Sequence, residues 1–252
     1  MYTYYKGKVS YDGTEYCGWQ LQKNVKTVQG ELEKTLSTIF KRKRVVVLGA
    51  SRTDSGVHAS NQLFNFHDKK DIKPKILKKG MNSILPENIY VKNLEYTHKK
   101  FNSITAAKGK YYIYNYQYPS NPLKNRYAYT IYNNKPDFST MEKAAKLFEG
   151  EKDFSAYRNS PSKNPNKKTV CNIKKCNLEI HKNGAILHIK GNRFLYNMIR
   201  IIAGTLLYVG YKKLTISDIK KSFTEKDRKY TGKTLDASGL ILKNIYEKNW
   251  YN

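Results

Sequence analysis

Residues 194 to 209, Phe-Leu-Tyr-Asn-Met-Ile-Arg-Ile-Ile-Ala-Gly-Thr-Leu-Leu-Tyr-Val, are apolar on nearly every side of a helix, and such a helix has to be buried. The run is too short to span a bilayer comfortably and carries Arg200, so the rest of the chain must build a core around it. Arg200 shares its line at spacings of three and four with Arg193, Asn197, Ala203 and Gly204, a polar or small stripe that should face a cleft or another backbone. A guanidinium held against a buried helix keeps its charge, so it needs a carboxylate partner or burial costs several kcal/mol. Asp54 is an acid in a tight loop with no evident partner in the sequence, though a purely structural ion pair satisfies the same charge logic.

At 252 residues the chain has room for two domains, each with its own core. The net charge of +27 suits a polyanionic partner, and RNA or DNA is favoured over a membrane because no apolar run is long and uncharged enough to cross one. Abundant Lys, Asn, Ile and Tyr are also what an AT-rich genome would produce, so charge alone says little. Only eight of the 47 basic residues are arginine, and one of them is Arg52; where lysine is the default, arginine marks a need for a planar, bidentate fork. Three cysteines and an N-terminus without an apolar signal region imply reducing cytoplasm. Cys171, Cys176, His181 and His188 fit no common zinc spacing and lie on strand-like segments, so no metal is expected.

Taken in order, residues 3 to 11 read as a strand. Thr27 caps a helix carrying Val28, Leu32, Leu36, Ile39 and Phe40. A strand at 44 to 48 and another through Leu63-Phe64-Asn65-Phe66-His67 follow, and Pro74 opens a helix whose apolar side is Ile76, Leu77 and Met81. Ile89-Tyr90-Val91 begins the last strand of this half.

In the second half, residues 110 to 118 alternate as a strand with Tyr112, Tyr114, Tyr116 and Tyr118 on one face. Ser139 and Glu142 suggest a capping box for a helix stopped by Gly150. Residues 155 to 168 read as a long basic loop with nothing to pack a core. A hairpin, 170 to 181 and 185 to 190, turns at Asn183-Gly184. The apolar helix, a short helix near 217 to 223 and a strand around Leu240 to Ile245 complete the half.

Each half thus reads βαββαβ, an α+β fold of two ferredoxin-like or RRM-like halves with antiparallel sheets, residues 1–104 and 105–252. Sheets of this type can stack bases on aromatics, although tyrosine stripes on strands are more often packing.

The loop Gly49-Ala50-Ser51-Arg52-Thr53-Asp54-Ser55-Gly56-Val57-His58-Ala59 is built of turn residues, and a loop on a rigid scaffold can equally be a site. Its Arg-Thr-Asp-x-Gly-Val-His core, together with Tyr11-Asp12-Gly13, Tyr16-Cys17-Gly18-Trp19-Gln20, Asn82-Ser83-Ile84-Leu85-Pro86, Lys110-Tyr111-Tyr112-Ile113-Tyr114 and Phe194-Leu195-Tyr196-Asn197-Met198-Ile199-Arg200, resembles the tRNA pseudouridine synthase A family over nearly the whole length. The resemblance implies the pseudouridine synthase fold with a central cleft, a tRNA substrate modified at positions 38, 39 and 40 of its anticodon stem-loop, a homodimer and no cofactor. It implies that Asp54 is the catalytic aspartate, Arg200 its ionic partner, Tyr112 the platform for the target base and Arg52 the residue that turns the nucleotide out. Tyr112 is assigned by counting forward from Phe101, with Tyr111 and Tyr114 the alternatives if that register slips. His58, Arg193 and Asn197 are expected to help bind substrate.

The chemistry fits these residue types. Isomerising uridine breaks an N-glycosidic bond, rotates the uracil and rejoins it through C5, with no net redox change. An ionised carboxylate beside the ribose can act as nucleophile or base, and a neighbouring guanidinium favours its ionised form. A base that must leave its stack needs an aromatic platform and a displacing side chain, while the loop at 155 to 168 and Lys41-Arg42-Lys43-Arg44 can hold phosphates. A non-catalytic RNA-binding protein of the same architecture, or a synthase with another RNA target, are the alternatives.

Overall fold

A computed structural model describes residues 1–132, 134–159 and 168–248. The chain forms two compact units, one made of Met1–Lys108 with a C-terminal segment that begins at Ile241, the other of Gly109–Leu240. Both are α+β, with mostly antiparallel strands.

The first unit runs β1 (Thr3–Tyr11), α1 (Val28–Phe40), β2 (Leu48–Gly49), β3 (His58–Asp68), α2 (Pro74–Ile84), β4 (Ile89–Thr97) and the single turn α3 (Ser103–Ala106). β1 lies between β3 and β4, antiparallel to both, and buries alternate residues Tyr5, Val9 and Tyr11. Thr27 caps α1 by accepting from the Gly30 N–H at 3.2 Å, and the buried line Val28, Leu32, Leu36 and Phe40 follows the helical repeat.

Two expectations change here. Of residues 44 to 48 only Leu48 enters a strand, because α1 takes the backbone groups a ladder would use. Ser37 Oγ accepts from Val45 N–H, Glu33 Oε1 accepts from Val47 N–H, and Gln29 Nε2 donates to Val47 O. Ile76 is 62% exposed, while Leu77 and Met81 are buried. Those two sit four apart on one line of α2, and Ile76 is about 100° around the helix from Leu77.

The second unit runs β5 (Gly109–Gln117), β6 (Tyr129–Thr130), α4 (Phe138–Ala145), β7 (Gly150–Asp153), β8 (Val170–His181), β9 (Gly184–Gly191), α5 (Met198–Gly210) and α6 (Ile216–Thr224). Its strands follow the order β5-β9-β8-β7, all antiparallel, with β6 parallel to β5. Tyr114 and Tyr116 are core side chains whose hydroxyls donate to Asp236 O and Ala203 O, each at 2.8 Å. Such pairing is what a buried phenol requires. The Asn183-Gly184 turn forms as expected, and Gly184 adopts φ +137° with its Cα against the Tyr116 carbonyl.

Asp137, rather than Ser139, caps α4 through the Thr140 N–H at 3.0 Å. α5 begins at Met198 instead of residue 194, because Asn197 lies in the left-handed region at φ +59° and breaks the helical path. The expectation of a core-free loop from 155 to 168 fails at its start. Ala156 and Tyr157 are buried, and Tyr157 joins Phe148, Phe154 and Phe223 in an aromatic cluster. Residues 160–167 of that loop lie outside the described residues.

Last comes β10 (Leu240–Tyr246), which sequence order places in the second half. Its residues Ile241 and Leu242 pair in parallel with His58 and Ala59 of β3. β2 uses the same edge of β3 only at Asn65 and Phe64, so the start of that edge accepts β10. Leu242 and Ile245 are buried there, and Asn61 Nδ2 donates to Lys243 O at 2.8 Å.

Candidate active site

The Asp54 loop is held on both flanks by groups distant in sequence. At its start, Ser51 N–H donates to Gln62 Oε1 at 3.2 Å, and Gln62 Nε2 donates back to Ser51 O at 2.5 Å, with Gln62 fully buried. The Thr53 hydroxyl is 2.8 Å from the Tyr11 hydroxyl, and Thr53 O accepts from Trp19 N–H at 3.1 Å. Beyond Asp54, Val57 N–H closes a turn onto Asp54 O at 3.1 Å, and Gly56, at φ +77°, donates to Tyr16 O at 3.2 Å. Trp19 is buried flat against Gly49, whose missing Cβ leaves room for the indole.

This frame leaves Arg52 exposed and Asp54 half-buried while Ser51, Thr53 and Val57 are buried. A carboxylate and a guanidinium are thus presented on a fixed backbone, the arrangement a reacting group requires. His58, expected to touch substrate, is instead 3% exposed. Its Nδ1 accepts from Gly13 N–H at 3.1 Å and lies 3.1 Å from Asp12 Oδ1. It braces the turn after β1 against the end of the Asp54 loop.

In the second unit, Tyr112 on β5 is 6% exposed, and the Phe194 ring meets it edge-on at 5.4 Å. Arg200, on the first turn of α5, donates from Nε to Leu235 O at 2.7 Å and from Nη1 to Asn197 Oδ1 at 3.0 Å. The expectation that its stripe faces another backbone holds at Gly204, whose Cα packs directly on the Lys233 carbonyl. Asn197 is buried and serves Arg200, while Arg193 lies half-buried in the turn leaving β9. The structure therefore brings Arg52, Asp54 and His58 into one loop of the first unit, and gathers Tyr112, Arg193, Asn197 and Arg200 around α5 and β5 of the second.

Burial pushes the Cys171 thiol up to about 11 and raises Cys176 as well, so both stay protonated and unreactive. Among the described residues no three His, Cys, Asp or Glu side chains are grouped to hold a metal ion, and no helix is long and apolar enough to cross a membrane. Sequence reasoning missed Gln62 and the bond by which His58 holds Gly13. Gln62 lies in a strand whose apolar residues carried the reading, and nothing in its local pattern marks it as buried.

Residues 8–103 and 144–246 match the family described as tRNA pseudouridine synthase. The chain is 41% identical over 241 residues to tRNA pseudouridine synthase A of Acetivibrio thermocellus, covering 94% of this chain and 97% of that protein. It is 40% identical over 244 residues to the protein of that name from Ruminiclostridium cellulolyticum, with 94% and 97% covered. It is also 36% identical over 250 residues to the one from Geobacillus sp., with 97% and 98% covered. The chain belongs to the tRNA pseudouridine synthase family and is an isomerase of tRNA uridines.

Proposed function

We propose that this chain converts uridine to pseudouridine at positions 38, 39 and 40 of the tRNA anticodon stem-loop, without a cofactor, as a cytoplasmic homodimer. The observation that carries the reading is the Asp54 loop, in which Ser51, Thr53 and Val57 are buried and hydrogen-bonded while Arg52 is exposed and Asp54 half-buried. Asp54 supplies the ionised carboxylate that acts on the target nucleoside as nucleophile or base. Arg200 is its ionic partner, fixed in plane by Asn197 and Leu235. Tyr112 is the platform for the displaced base, and Arg52, extended from a rigid backbone, occupies the space the nucleotide leaves. Arg193 contacts the substrate, while Asn197 and His58 act through their neighbours as positioning residues.

The bonds balance without a redox partner. The C1′–N1 bond breaks, the uracil turns, C1′–C5 forms, N1 takes up a proton and the C5 proton leaves to solvent. That proton is the readout. Incubation with tRNA tritiated at uridine C5 should release tritium with the wild type and none with Asp54→Ala. Release that survives the substitution would overturn the role of Asp54. A wild type that binds tRNA yet releases no tritium would make the chain a binding protein. Mapping pseudouridine in tRNA from a deletion strain checks the three positions.

A further inference from the structure

Gln29, the second residue of α1, is buried beside the apolar line of that helix rather than on it. Its amide meets four groups. Nε2 donates to Glu33 Oε1 at 2.8 Å and to Val47 O at 3.0 Å, while Oε1 accepts from Gln20 Nε2 and Leu21 N–H, each at 2.9 Å. The amide lies only this way round, because the Val47 carbonyl can only accept and the Leu21 N–H can only donate. Glu33, four residues on along the same line of the helix, accepts in turn from Arg44 Nε at 2.7 Å and Val47 N–H at 3.1 Å. The Gln29 side chain has used all its donors and acceptors, and a buried amide so engaged is costly to disturb.

What the amide holds is the stretch of chain that packs on the Asp54 loop. Gln29 N–H donates to Trp19 O at 3.0 Å, and Trp19 N–H donates to Thr53 O at 3.1 Å. Trp19 is therefore tied on one side to α1 and on the other to the residue before Asp54. Gly18 makes a second contact with the loop. At φ +85° it lies so close that a Cβ would come within 2.5 Å of Thr53 O and 3.1 Å of the Asp54 carbonyl carbon. Its own carbonyl accepts from Val28 N–H at 3.2 Å. Gln20 and Leu21 lie at the surface, where water competes for their polar groups, and the Gln29 oxygen keeps both on the helix.

We propose that Gln29 is a positioning residue for the isomerisation, pinning residues 19–21 to α1 and through Gly18 and Trp19 fixing the backbone from which Asp54 reaches the nucleoside. This rests on the reading of Asp54 as the reacting carboxylate. Small displacements of a reacting group cost far more in rate than in stability. Gln29 is buried and acts through Trp19, so its loss falls on turnover rather than on tRNA binding.

The test uses the whole chain and the variants Q29M, Q29E and Q29E/E33Q, compared at a temperature where thermal unfolding shows each to be folded. Q29M should lose about thirtyfold in kcat for tritium release with KM for tRNA within about threefold. Amide hydrogen exchange in peptides covering residues 16–21 and 50–57 should quicken about tenfold. Q29E keeps oxygens for Gln20 and Leu21 but sets a second carboxylate against Glu33, so it should fail as Q29M does. In Q29E/E33Q the amide and the carboxylate change places and the bond between them is restored, so most of the kcat lost in Q29E should return. The proposal is overturned if Q29M turns over like the wild type, or if its kcat falls while exchange over 50–57 is unchanged. A loss confined to KM also overturns it, since that marks a contact with the tRNA, and so does a double variant as slow as Q29E. Tritium release that survives Asp54→Ala removes the reading of Asp54, while the exchange data still decide whether Gln29 holds the loop.

Discussion

Asn197 holds the Arg200 guanidinium through Oδ1 at 3.0 Å, and the same residue starts α5 with a left-handed backbone at φ +59°. One side chain therefore sets both where the helix begins and how its arginine points. Asparagine suits the position because it tolerates that backbone better than most residues and carries a short acceptor.

The two roles separate by substitution. Asn197→Gly keeps the backbone and loses the acceptor, while Asn197→Ala loses both. The alanine variant should be less stable than the glycine variant by about 1 kcal/mol in urea unfolding. Both should lose about tenfold or more in kcat/KM for tritium release. Full turnover by Asn197→Gly would mean that Asn197 does not position Arg200 for the reaction.

Gln62 bonds both backbone groups of Ser51 from a fully buried position. Gln62→Leu removes both partners without changing the strand's apolar packing greatly. A loss of about 2–4 kcal/mol is expected in urea unfolding, with a drop in turnover because Arg52 and Asp54 follow Ser51 in the loop. A variant as stable as wild type would show that the loop is fixed elsewhere.

Gly204→Ala ought to gain about 1 kcal/mol on helix propensity alone. The Lys233 carbonyl occupies the place of the new methyl group, and the Gly232 backbone approaches Gly204 as well. Overpacking against backbone should dominate, giving a net loss of about 1–3 kcal/mol and a lower Tm. A raised Tm would refute that close approach.

Asp153 supplies an acid-side signature. Burial, the largest single influence, would raise its carboxyl, but the Lys226 ammonium at 2.9 Å with the Thr169 hydroxyl and Ser155 N–H outweigh it and hold the group at about 2. Its folded value lies below the ordinary carboxylate value. The stabilisation is therefore complete above pH 4, and it is lost as pH falls from about 4 through 2. Lys226 is largely exposed and solvent screens the pair, so Asp153→Asn should lower stability by only about 1 kcal/mol at pH 6, and the gap to wild type should close toward pH 2 in matched urea unfolding curves.

Much of this was legible in the sequence, for a local reason. β1, α1, β5 and the Asn183-Gly184 hairpin announce themselves through alternation, capping and turn chemistry, which act over a few residues. The Arg-Thr-Asp loop and the arginine helix were visible for the same reason. Misreadings arose where a distant group intervened. Val45 to Val47 has strand character, yet three side chains of α1 occupy its backbone. Tyr157 sits in a polar, basic stretch, yet Phe148, Phe154 and Phe223 close around it.

By itself the sequence determined the order and type of most elements, the cationic excess and the residues by which the chain resembles its family, because these depend on composition and short-range spacing. Only the tertiary structure decided that β10 joins β3 across roughly 180 residues and that His58 braces a turn. Strand pairing and burial are chosen by what else competes for the same edge or cavity, and that competition exists only once the chain has folded.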